Sequence, residues 1–231
     1  MPHYPVFLDL SGRPCTVIGG GEVAERKVVS LLSAKARVTV VSPNLTPGLA
    51  ALAETHEIKH LARSYRRGDL SGAALAFDAT GDESVHAEIA AEAAEGAVWL
   101  NVVDRPRFCS FIVPAVLRRG PVSVATSTDG ASPALAKRLR QDLEEIVGPE
   151  YGLAARILGR LRELDPRRDG EQEDRARVYT ALVQSPLLAA LRAGDVRMVD
   201  SLLGEIVGGG MTLAELGLSF DRMTDNGTAA S

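Results

Sequence analysis

The sequence predicts an α/β fold in which a doubly wound parallel sheet is followed by a region of a different kind. Short apolar runs, many of them β-branched, alternate with segments of helical periodicity in the first part of the 231 residues. This alternation is typical of a parallel sheet with crossover helices. The first run leads into Gly19, Gly20 and Gly21, and a helix-forming segment follows at once. Beyond Gly148 the helical periodicity continues and no further strand is predicted.

The elements of the sheet follow in a regular order. Strands are predicted at residues 15–18, 37–41, 58–61, 73–79 and 98–103. Helices are predicted at 22–33 and 46–55, and a third where Val85, Ile89 and Ala93 recur every fourth residue. This succession of strands and helices indicates a Rossmann-like sheet.

The chain changes character after Asp104. A hairpin is predicted there, with strands at 111–117 and 121–126 joined by the turn Arg118-Arg119-Gly120. A helix then begins, with Ser132 as its cap and Pro133 in its first position. One side of this helix carries an apolar stripe made of Leu135, Leu139, Leu143 and Ile146.

An all-helical region is predicted to complete the chain. Its helices are expected at 151–164, 174–184, 187–193 and 196–207, with a charged break at 165–171. The polar residues 219–231 are predicted to be a disordered tail. The expected domains are therefore a nucleotide-binding domain at 1–110, a connecting segment at 111–148, a small helical domain at 149–218 and the tail.

Composition excludes several classes of protein. The net charge of −4 argues against non-specific nucleic-acid binding. No apolar run reaches the roughly 18 residues of a membrane helix, and no secretory signal is recognised. Cys15 and Cys109 are the only cysteines, and Cys15 lies in a predicted buried strand. We therefore expect no disulfide framework and a cytoplasmic location. The four histidines are scattered, so no metal site is predicted.

The glycine run has the spacing of a dinucleotide-binding turn. Gly19, Gly21 and Ala24 form the Gly/Ala variant of the G-x-G-x-x-G fingerprint. Gly19 permits a tight turn, Gly21 lets the backbone approach a pyrophosphate, and Ala24 lets the helix pack closely on the strand. The free N–H groups of the helix would then face the phosphates. A glycine turn in an ordinary strand–helix unit is the alternative, but the flanking strand and helix favour a nucleotide site.

Two further polar residues follow predicted strands. Thr80 comes after the fourth strand and Asp104 after the fifth. Ligands of open parallel sheets bind outside the carboxyl ends of the strands. Thr80 is therefore a candidate cofactor-binding residue, and Asp104 is placed to meet a bound cofactor. A turn residue before Pro106 explains Asp104 equally well from position alone.

The end of the second strand bears on the choice of nicotinamide cofactor. The acidic residue that commonly binds the ribose hydroxyls is absent, and Ser42, Pro43 and Asn44 stand there instead. No arginine follows to hold a 2′-phosphate. Ser42 and Asn44 could form neutral hydrogen bonds with the ribose, so we expect NAD rather than NADP.

A basic stretch suggests an anionic substrate. Between residues 105 and 140 the only acid is Asp129, and the cations are Arg105, Arg107, Arg118, Arg119, Lys137, Arg138 and Arg140. Such asymmetry in an acidic protein favours binding of a polyanionic small molecule, although solvated arginines remain the alternative for individual residues. Ser127 and Thr128 add hydroxyl groups before a helix N-terminus. Arg118, Arg119, Ser127, Thr128 and Lys137 are therefore candidate substrate-binding residues.

Several motifs occur together and in order along residues 4–207. They are Tyr4-Pro5-Val6-Phe7-Leu8-Asp9-Leu10, the Gly19–Lys27 stretch, Ala79-Thr80-Gly81-Asp82, Asn101-Val102-Val103-Asp104, Phe111-Ile112-Val113-Pro114 and Gly130-Ala131-Ser132-Pro133-Ala134-Leu135-Ala136. Together they resemble the precorrin-2 dehydrogenase/sirohydrochlorin ferrochelatase family, which forms the dehydrogenase module of siroheme synthase.

The resemblance implies NAD-dependent oxidation of precorrin-2 to sirohydrochlorin, followed in some members by insertion of Fe2+ as a substrate. It places the essential aspartate of the family on Asp104 and the cofactor contacts on Glu22, Val23 and the Ser42–Asn44 turn. It also adds Asn101 to the substrate-binding candidates. The family tetrapyrrole carries eight carboxylates, in agreement with the basic stretch. A homodimer joined through residues 111–147 is implied as well.

One departure from the family pattern concerns the loop before the helix at Pro133. Asp129 stands where the family usually has glycine, so the local anion site is expected to be altered. Two other functions remain open at this point. One is a non-catalytic NAD-sensing module that regulates a partner, and the other is a dehydrogenase of another polycarboxylate.

Overall fold

The structure, a computed structural model, describes residues 3–164 and 172–220, without the side chains of residues 172–175. It contains two compact units, Met1–Val113 and Pro114–Ser231. The predicted charged break at 165–171 and the part of the predicted tail from residue 221 onward lie outside the described residues. Phe220, within that predicted tail, packs against the helical core.

The first unit is a five-stranded parallel sheet with the order β3-β2-β1-β4-β5. Its strands are β1 (Pro14–Ile18), β2 (Arg37–Val41), β3 (Ile58–Leu61), β4 (Leu75–Asp78) and β5 (Trp99–Val102). Its helices are α1 (Glu22–Ser33), α2 (Pro47–Glu54) and α3 (His86–Glu95), with a short 3-10 helix, η1, at Pro106–Phe108. The predicted Rossmann-like fold is confirmed. The strand order reverses between β1 and β4, which is where such sheets bind nucleotides.

Both faces of this sheet are buried, as expected for parallel strands. Val17, Val40 and Phe77 lie on the face covered by α1 and α2. Ala76 and Val102 lie on the other face, which is covered by α3. Successive side chains of a strand point to opposite faces of the sheet. Adjacent residues of one strand therefore pack against different helices. Phe77 therefore packs toward α1, and Asp78 faces α3.

The hairpin of the second unit is displaced from its predicted position. Its strands are β6 (Ala115–Arg119) and β7 (Val122–Thr126), and Arg119 pairs with Val122 across a two-residue turn at Gly120 and Pro121. The predicted turn at 118–120 was therefore wrong. Gly120 has a φ of 56°, and glycine is the residue best suited to this left-handed conformation at a tight turn.

The predicted strand at residues 111–114 was wrong because these residues are held beside β5 instead. The backbone N–H of Ser110 donates to the carbonyl of Leu100 at 2.8 Å, and the Asn101 side-chain amide donates to the carbonyl of Phe111 at 3.0 Å. The Phe111 ring meets the Phe77 ring edge-on at a centroid distance of 5.5 Å. Edge strand β5 thus obtains partners through one backbone group and one side chain, which no periodicity in the sequence reveals.

The remainder of the second unit consists of helices α4 (Pro133–Ile146), α5 (Pro149–Leu164), α6 (Gln172–Gln184), α7 (Leu187–Ala193) and α8 (Val196–Val207). Ser132 caps α4, with its hydroxyl oxygen accepting the N–H of Leu135, and Pro133 occupies the first position as predicted. Ile157, Leu182 and Leu203 lie in the shared core of the last four helices. Within the described residues, no helix is both long enough and apolar enough to cross a membrane.

Candidate functional site

The glycine turn follows β1 at the carboxyl edge of the sheet. Gly19 has a φ of 113°, a conformation that favours glycine. A Cβ at Gly19 would lie 2.6 Å from the carbonyl oxygen of Ala79. The backbone that follows β4 therefore leaves no room for a side chain at Gly19, and the tight turn requires glycine at this position.

Gly20, the variable position of the fingerprint, has a structural constraint that the sequence pattern did not indicate. A Cβ there would lie 2.0 Å from the carbonyl oxygen of Asn44. The carbonyl of Gly20 accepts the N–H of Thr46 at 2.9 Å. The glycine turn is therefore closed against the segment that follows β2, and a side chain at Gly20 would push the two apart.

Gly21 differs from its two neighbours because a Cβ there would have no atom of a non-adjacent residue within 4 Å. It is the N-cap of α1 in an extended conformation, and no side chain in the described part of the protein caps that helix. Glu22 is exposed and Val23 is half-buried in the first turn. The open space in front of uncapped N–H groups fits the pyrophosphate of a dinucleotide.

The segment after β2 is held by hydrogen bonds within the protein. Ser42 is buried, and its hydroxyl donates to the carbonyl of Asn44 at 2.7 Å. Pro43 and Asn44 are exposed. The Thr46 hydroxyl donates to the Glu25 carboxylate of α1. The hydroxyl proton of Ser42 is therefore engaged, and the exposed groups of this turn are Pro43 and Asn44.

Thr80 lies two residues beyond β4, beside the glycine turn. Its N–H donates to Oδ1 of Asp78 at 3.1 Å, and its hydroxyl oxygen accepts the N–H of Asp82 at 3.2 Å. The other carboxylate oxygen of Asp78 lies 2.6 Å from Nδ1 of His86, and both residues are buried. Burial raises the pKa of the Asp78 carboxyl, and the hydrogen bond from His86 opposes this rise.

The pair of Asp78 and His86 was not predicted from the sequence. His86 was counted among scattered histidines, yet it is the first residue of α3 and faces the last residue of β4. A signal was present in the sequence, since an acid in a buried strand requires a partner. The strand-to-helix connection brings that partner into reach.

Asp104 occupies a tight turn two residues after β5. Its φ is 58°, in the left-handed region that a non-glycine residue rarely adopts. The side chain is exposed, and its carboxylate has no hydrogen bond or ion pair with any of the described residues. The turn explanation and the functional one are thus compatible. The structure presents an available carboxylate at the carboxyl edge that carries Gly21 and Thr80.

The turn with Asp104 is fastened on both sides. Arg105 forms an ion pair with Glu83, in the loop that follows Thr80. The Cys109 thiol accepts the N–H of Val102 at 3.2 Å and donates to the carbonyl of Val102 at 3.3 Å. Burial raises the pKa of this thiol, which disfavours the reactive thiolate. Cys109 therefore has a structural role in closing the turn.

The candidate Asn101 has a partner within the protein. Its side-chain amide donates to the carbonyl of Phe111, as described above, so one of its two N–H groups is engaged. The carbonyl oxygen of the same side chain has no protein donor among the described residues. Asn101 thus anchors the segment after η1 and keeps one N–H and its carbonyl oxygen for a ligand.

In the second unit, the two neighbouring arginines of β6 differ. Arg118 is exposed, and no described residue forms an ion pair with it. Arg119 is half-buried, and its guanidinium donates to the carbonyls of Val147 at 3.1 Å and Arg118 at 3.2 Å. Arg118 is therefore available to an anionic ligand, whereas Arg119 ties β6 to the end of α4.

The hydroxyl loop of the same unit is largely self-satisfied. The Thr128 hydroxyl accepts the N–H of Ser132 and donates to its carbonyl, both at 3.0 Å. The Ser127 hydroxyl oxygen accepts the N–H of Asp129 at 3.1 Å. Asp129 itself has a φ of 50°, a conformation for which glycine is the usual residue. This accounts for the glycine that the family pattern has at this position.

The basic stretch is less unbalanced than the sequence window indicated. Arg105 pairs with Glu83, Arg138 with Asp142 and Arg140 with Glu144. Asp142 and Glu144 follow the stretch 105–140 closely and Glu83 lies well before it, so a count of acids within the stretch did not include them. Lys137 is exposed, and no ion pair to it is formed by the described residues. Arg107 lies over the Phe108 ring, 4.6 Å from its centroid. Of the predicted substrate-binding residues, Arg118 and Lys137 are thus the cations best suited to bind carboxylates.

Two family profiles match this chain. Residues 6–115 match a family described as NAD(P)-binding, and residues 119–146 match the central region of sirohaem biosynthesis proteins. The siroheme synthase of Nitrosomonas europaea is 39% identical over 206 residues, which cover 89% of this chain and 43% of the relative. That of Thioalkalivibrio sulfidiphilus is 40% identical over 194 residues, which cover 84% and 40%. Most of this chain is therefore similar to one part of siroheme synthase. The chain spans less than half the length of these curated relatives.

One solved structure matches this chain over almost its own whole length. SirC, precorrin-2 dehydrogenase, matches with a TM-score of 0.72 and 25% identity, covering 89% of this chain and 99% of that chain. The resemblance recognised in the sequence motifs is confirmed, and the matches support a nicotinamide cofactor in the first unit. The NAD(P)-binding match contains Gly19, Gly21, Thr80 and Asp104. The second match contains Arg119, Ser127, Thr128 and Lys137, and Arg118 falls between the two.

Proposed function

We propose that this protein oxidises precorrin-2 to sirohydrochlorin with NAD as the hydride acceptor. The observation that carries the proposal is the exposed Asp104 carboxylate, which has no partner among the described residues and lies at the sheet edge that also holds the open position at Gly21. A dehydrogenase needs a cofactor site and an available proton acceptor, and this edge offers both. The similarity to SirC over almost the whole of that chain supports precorrin-2 as the substrate.

The oxidation removes two hydrogen atoms from precorrin-2, one as a hydride and one as a proton. Bound NAD would accept the hydride at C4 of its nicotinamide. The Asp104 carboxylate accepts the proton, and it breaks no ion pair with any residue that the structure describes. The ion pair of Arg105 with Glu83 and the Cys109 thiol hold the turn that presents Asp104. A rigid turn keeps the base in reach of the reacting carbon.

The cofactor is proposed to lie along α1 and the segment after β2. The uncapped N–H groups of Glu22 and Val23 would bind the pyrophosphate. Asn44 and the backbone of Pro43 would face the ribose, whereas the buried Ser42 hydroxyl holds that turn in shape. No arginine stands directly after β2 to neutralise a 2′-phosphate, so we propose NAD as the preferred cofactor over NADP.

The substrate is proposed to be held by its carboxylates. Arg118 and Lys137 supply cations without protein partners among the described residues, and the hydroxyls of Ser127 and Thr128 lie beside the start of α4. Arg119 and Asn101 then have mainly a positioning role, because both hold backbone carbonyls. Ion pairs with several substrate carboxylates would make binding sensitive to salt.

A homodimer is proposed as the assembled form. The apolar stripe of α4 leaves Leu135, Leu139 and Ile146 exposed by 58%, 44% and 62%, and only Ala136 of this helix is buried. An exposed apolar stripe of this kind is typical of a protein interface. It lies within residues 111–147, the segment through which the family resemblance implies that two copies join.

Two further points belong to the same proposal. Fe2+ would be a second substrate, inserted after oxidation, with Asp104 accepting protons from the pyrrole nitrogens. Among the described residues, no three His, Cys, Asp or Glu side chains form a group that could hold a resident metal ion.

Cys15 and Cys109 form no disulfide, in agreement with a reducing compartment, and we propose a cytoplasmic location.

The test is anaerobic incubation of the purified protein with precorrin-2 and NAD, followed by NADH absorbance and then by the tetrapyrrole spectrum after Fe2+ is added. Formation of one NADH per sirohydrochlorin is expected. NAD binding without turnover would instead identify a sensing module. Turnover of another polycarboxylate in place of precorrin-2 would identify a different dehydrogenase.

A further inference from the structure

The buried pair of Asp78 and His86 takes no part in the chemistry proposed above. The two residues are 0% and 5% exposed, and Nδ1 of His86 lies 2.6 Å from Oδ2 of Asp78. Desolvating an acid and a histidine is costly, and an apolar pair often packs at no loss of stability. A pair of this kind at the cofactor edge therefore needs an explanation other than packing.

Asp78 stands at the centre of the nucleotide-binding edge. It is the last residue of β4, and the sheet register places it level with Ile18 of β1 on one side and Val102 of β5 on the other. The glycine turn begins directly after Ile18. The strand order reverses between β1 and β4, and nucleotides bind at this position in such sheets. Asp78 therefore lies at the carboxyl end of a strand that borders this position.

Each oxygen of the Asp78 carboxylate has its own partner. Oδ1 accepts the N–H of Thr80 at 3.1 Å, and Oδ2 accepts from His86. The carbonyl of Ala79, between Asp78 and Thr80, is the atom that a Cβ at Gly19 would approach to 2.6 Å. The carboxylate therefore fixes the backbone of residues 79–80, which forms one wall of the glycine turn.

His86 prevents this carboxylate from rotating away. It begins α3, and its ring lies 6.4 Å from the Phe108 ring between centroids. Phe108 belongs to η1, which follows the turn that carries Asp104. The imidazole is thus wedged between the strand that ends in Asp78 and the segment beyond Asp104.

We propose that Asp78 and His86 are positioning residues, which hold the backbone wall at Ala79 and Thr80 in the shape that binds the dinucleotide. The inference rests on the cofactor part of the proposed function. It does not depend on the identity of the substrate, because cofactor affinity is measured in the absence of any tetrapyrrole.

Two variants separate positioning from packing. In Asp78→Asn, the remaining oxygen still accepts the N–H of Thr80, and the new amide donates to Nδ1 of a neutral His86. The double variant Asp78→Leu with His86→Leu removes the acceptor but keeps apolar contact with Phe108. Replacing a buried polar pair by apolar residues of similar volume is often neutral for stability, so the double variant is expected to fold.

The measurement is the Kd for NAD by calorimetry, together with Tm by circular dichroism. We expect the double variant to keep its Tm and to bind NAD about 10-fold more weakly, as for the loss of one ordering hydrogen bond. Asp78→Asn is expected to restore the Kd to within about 3-fold of the wild type. If the double variant does not fold, the variant with Asp78→Val and His86→Met is used instead. It also removes the carboxylate acceptor, and its Kd for NAD tests the inference in the same way.

A folded double variant with the wild-type Kd would overturn the inference, and so would an Asp78→Asn protein as weak as the double variant. Fast amide exchange at Thr80 in the wild-type protein would overturn it without any variant, because the hydrogen bond to Asp78 should protect that N–H. A wild-type protein that binds no NAD would refute the cofactor site and this inference together. If the variants change the Kd for NAD as expected but the wild-type protein does not oxidise precorrin-2, only the substrate assignment would be refuted.

Discussion

Replacing Gly21 should strongly weaken cofactor binding while leaving the fold intact. A Cβ at this position meets no atom of a non-adjacent residue within 4 Å, and the backbone is extended with a φ of −86°. Gly21→Ala and Gly21→Val should therefore lower the free energy of unfolding by about 1 kcal/mol or less, because glycine is only moderately preferred over alanine and valine at a helix N-cap. In the complex, the same side chains would occupy the space of the pyrophosphate.

The expected loss of affinity follows from the contacts that such a side chain would displace. A hydrogen bond from a backbone N–H to a charged group contributes about 1.5–3 kcal/mol. Losing one raises the Kd about 10–150-fold, and the larger valine should cost more than alanine. Titration with NAD by calorimetry gives the Kd, and thermal unfolding without NAD gives the Tm.

The neighbouring Gly20 provides a matched control. A Cβ there would lie 2.0 Å from the backbone oxygen of Asn44, so Gly20→Ala should destabilise the protein itself by about 1–3 kcal/mol. We expect its Tm to fall by about 2 °C or more in the absence of NAD. A Gly21→Val protein that has wild-type Tm and wild-type NAD affinity would show that the open space is not a pyrophosphate site.

Three further predictions concern the proposed chemistry and assembly. Asp104→Asn should keep the Tm and NAD affinity while kcat for precorrin-2 falls about 10²–10⁴-fold, as for a lost general base; a wild-type kcat would remove Asp104 from the mechanism. Arg118→Glu should raise the KM for precorrin-2 and leave the Kd for NAD unchanged, whereas Arg138→Glu, whose native partner is Asp142, should change KM little; equal effects of the two would point to general charge instead of a specific contact. Leu139→Asp should convert a dimer to a monomer in sedimentation velocity, and an unchanged mass would exclude the α4 stripe as the interface.

The sheet was predictable because its determinants are local. Buried parallel strands require short apolar runs, and polar or glycine residues such as Gly19, Ser42 and Thr80 stand where three of these runs end. The observed bounds of α1, β2 and β3 agree with those predicted from the sequence. The capped start of α4 was predictable for the same reason, since a cap acts within three residues of the helix start.

The hairpin was predicted in the wrong register because its limits depend on distant partners. Phe111 leaves the expected strand to pack on Phe77 and to satisfy the edge of β5 through Asn101. Likewise, the stripe on α4 had the periodicity of a buried face, yet Leu135 and Ile146 are exposed in the single chain. Periodicity identifies an apolar face but not the surface that covers it.

The sequence by itself determined the Rossmann-like fold, the glycine turn and the position of Asp104 beyond β5, since each follows from residues adjacent in the chain. Only the tertiary structure decided what those residues can do. It showed that a side chain at Gly20 would meet the backbone of Asn44, whereas a Cβ at Gly21 would meet no non-adjacent atom of the described residues within 4 Å. It also joined Asp78 to His86 and paired the arginines with acids outside the basic stretch. Such distinctions depend on distances between elements, which the order of residues along one strand or helix does not contain.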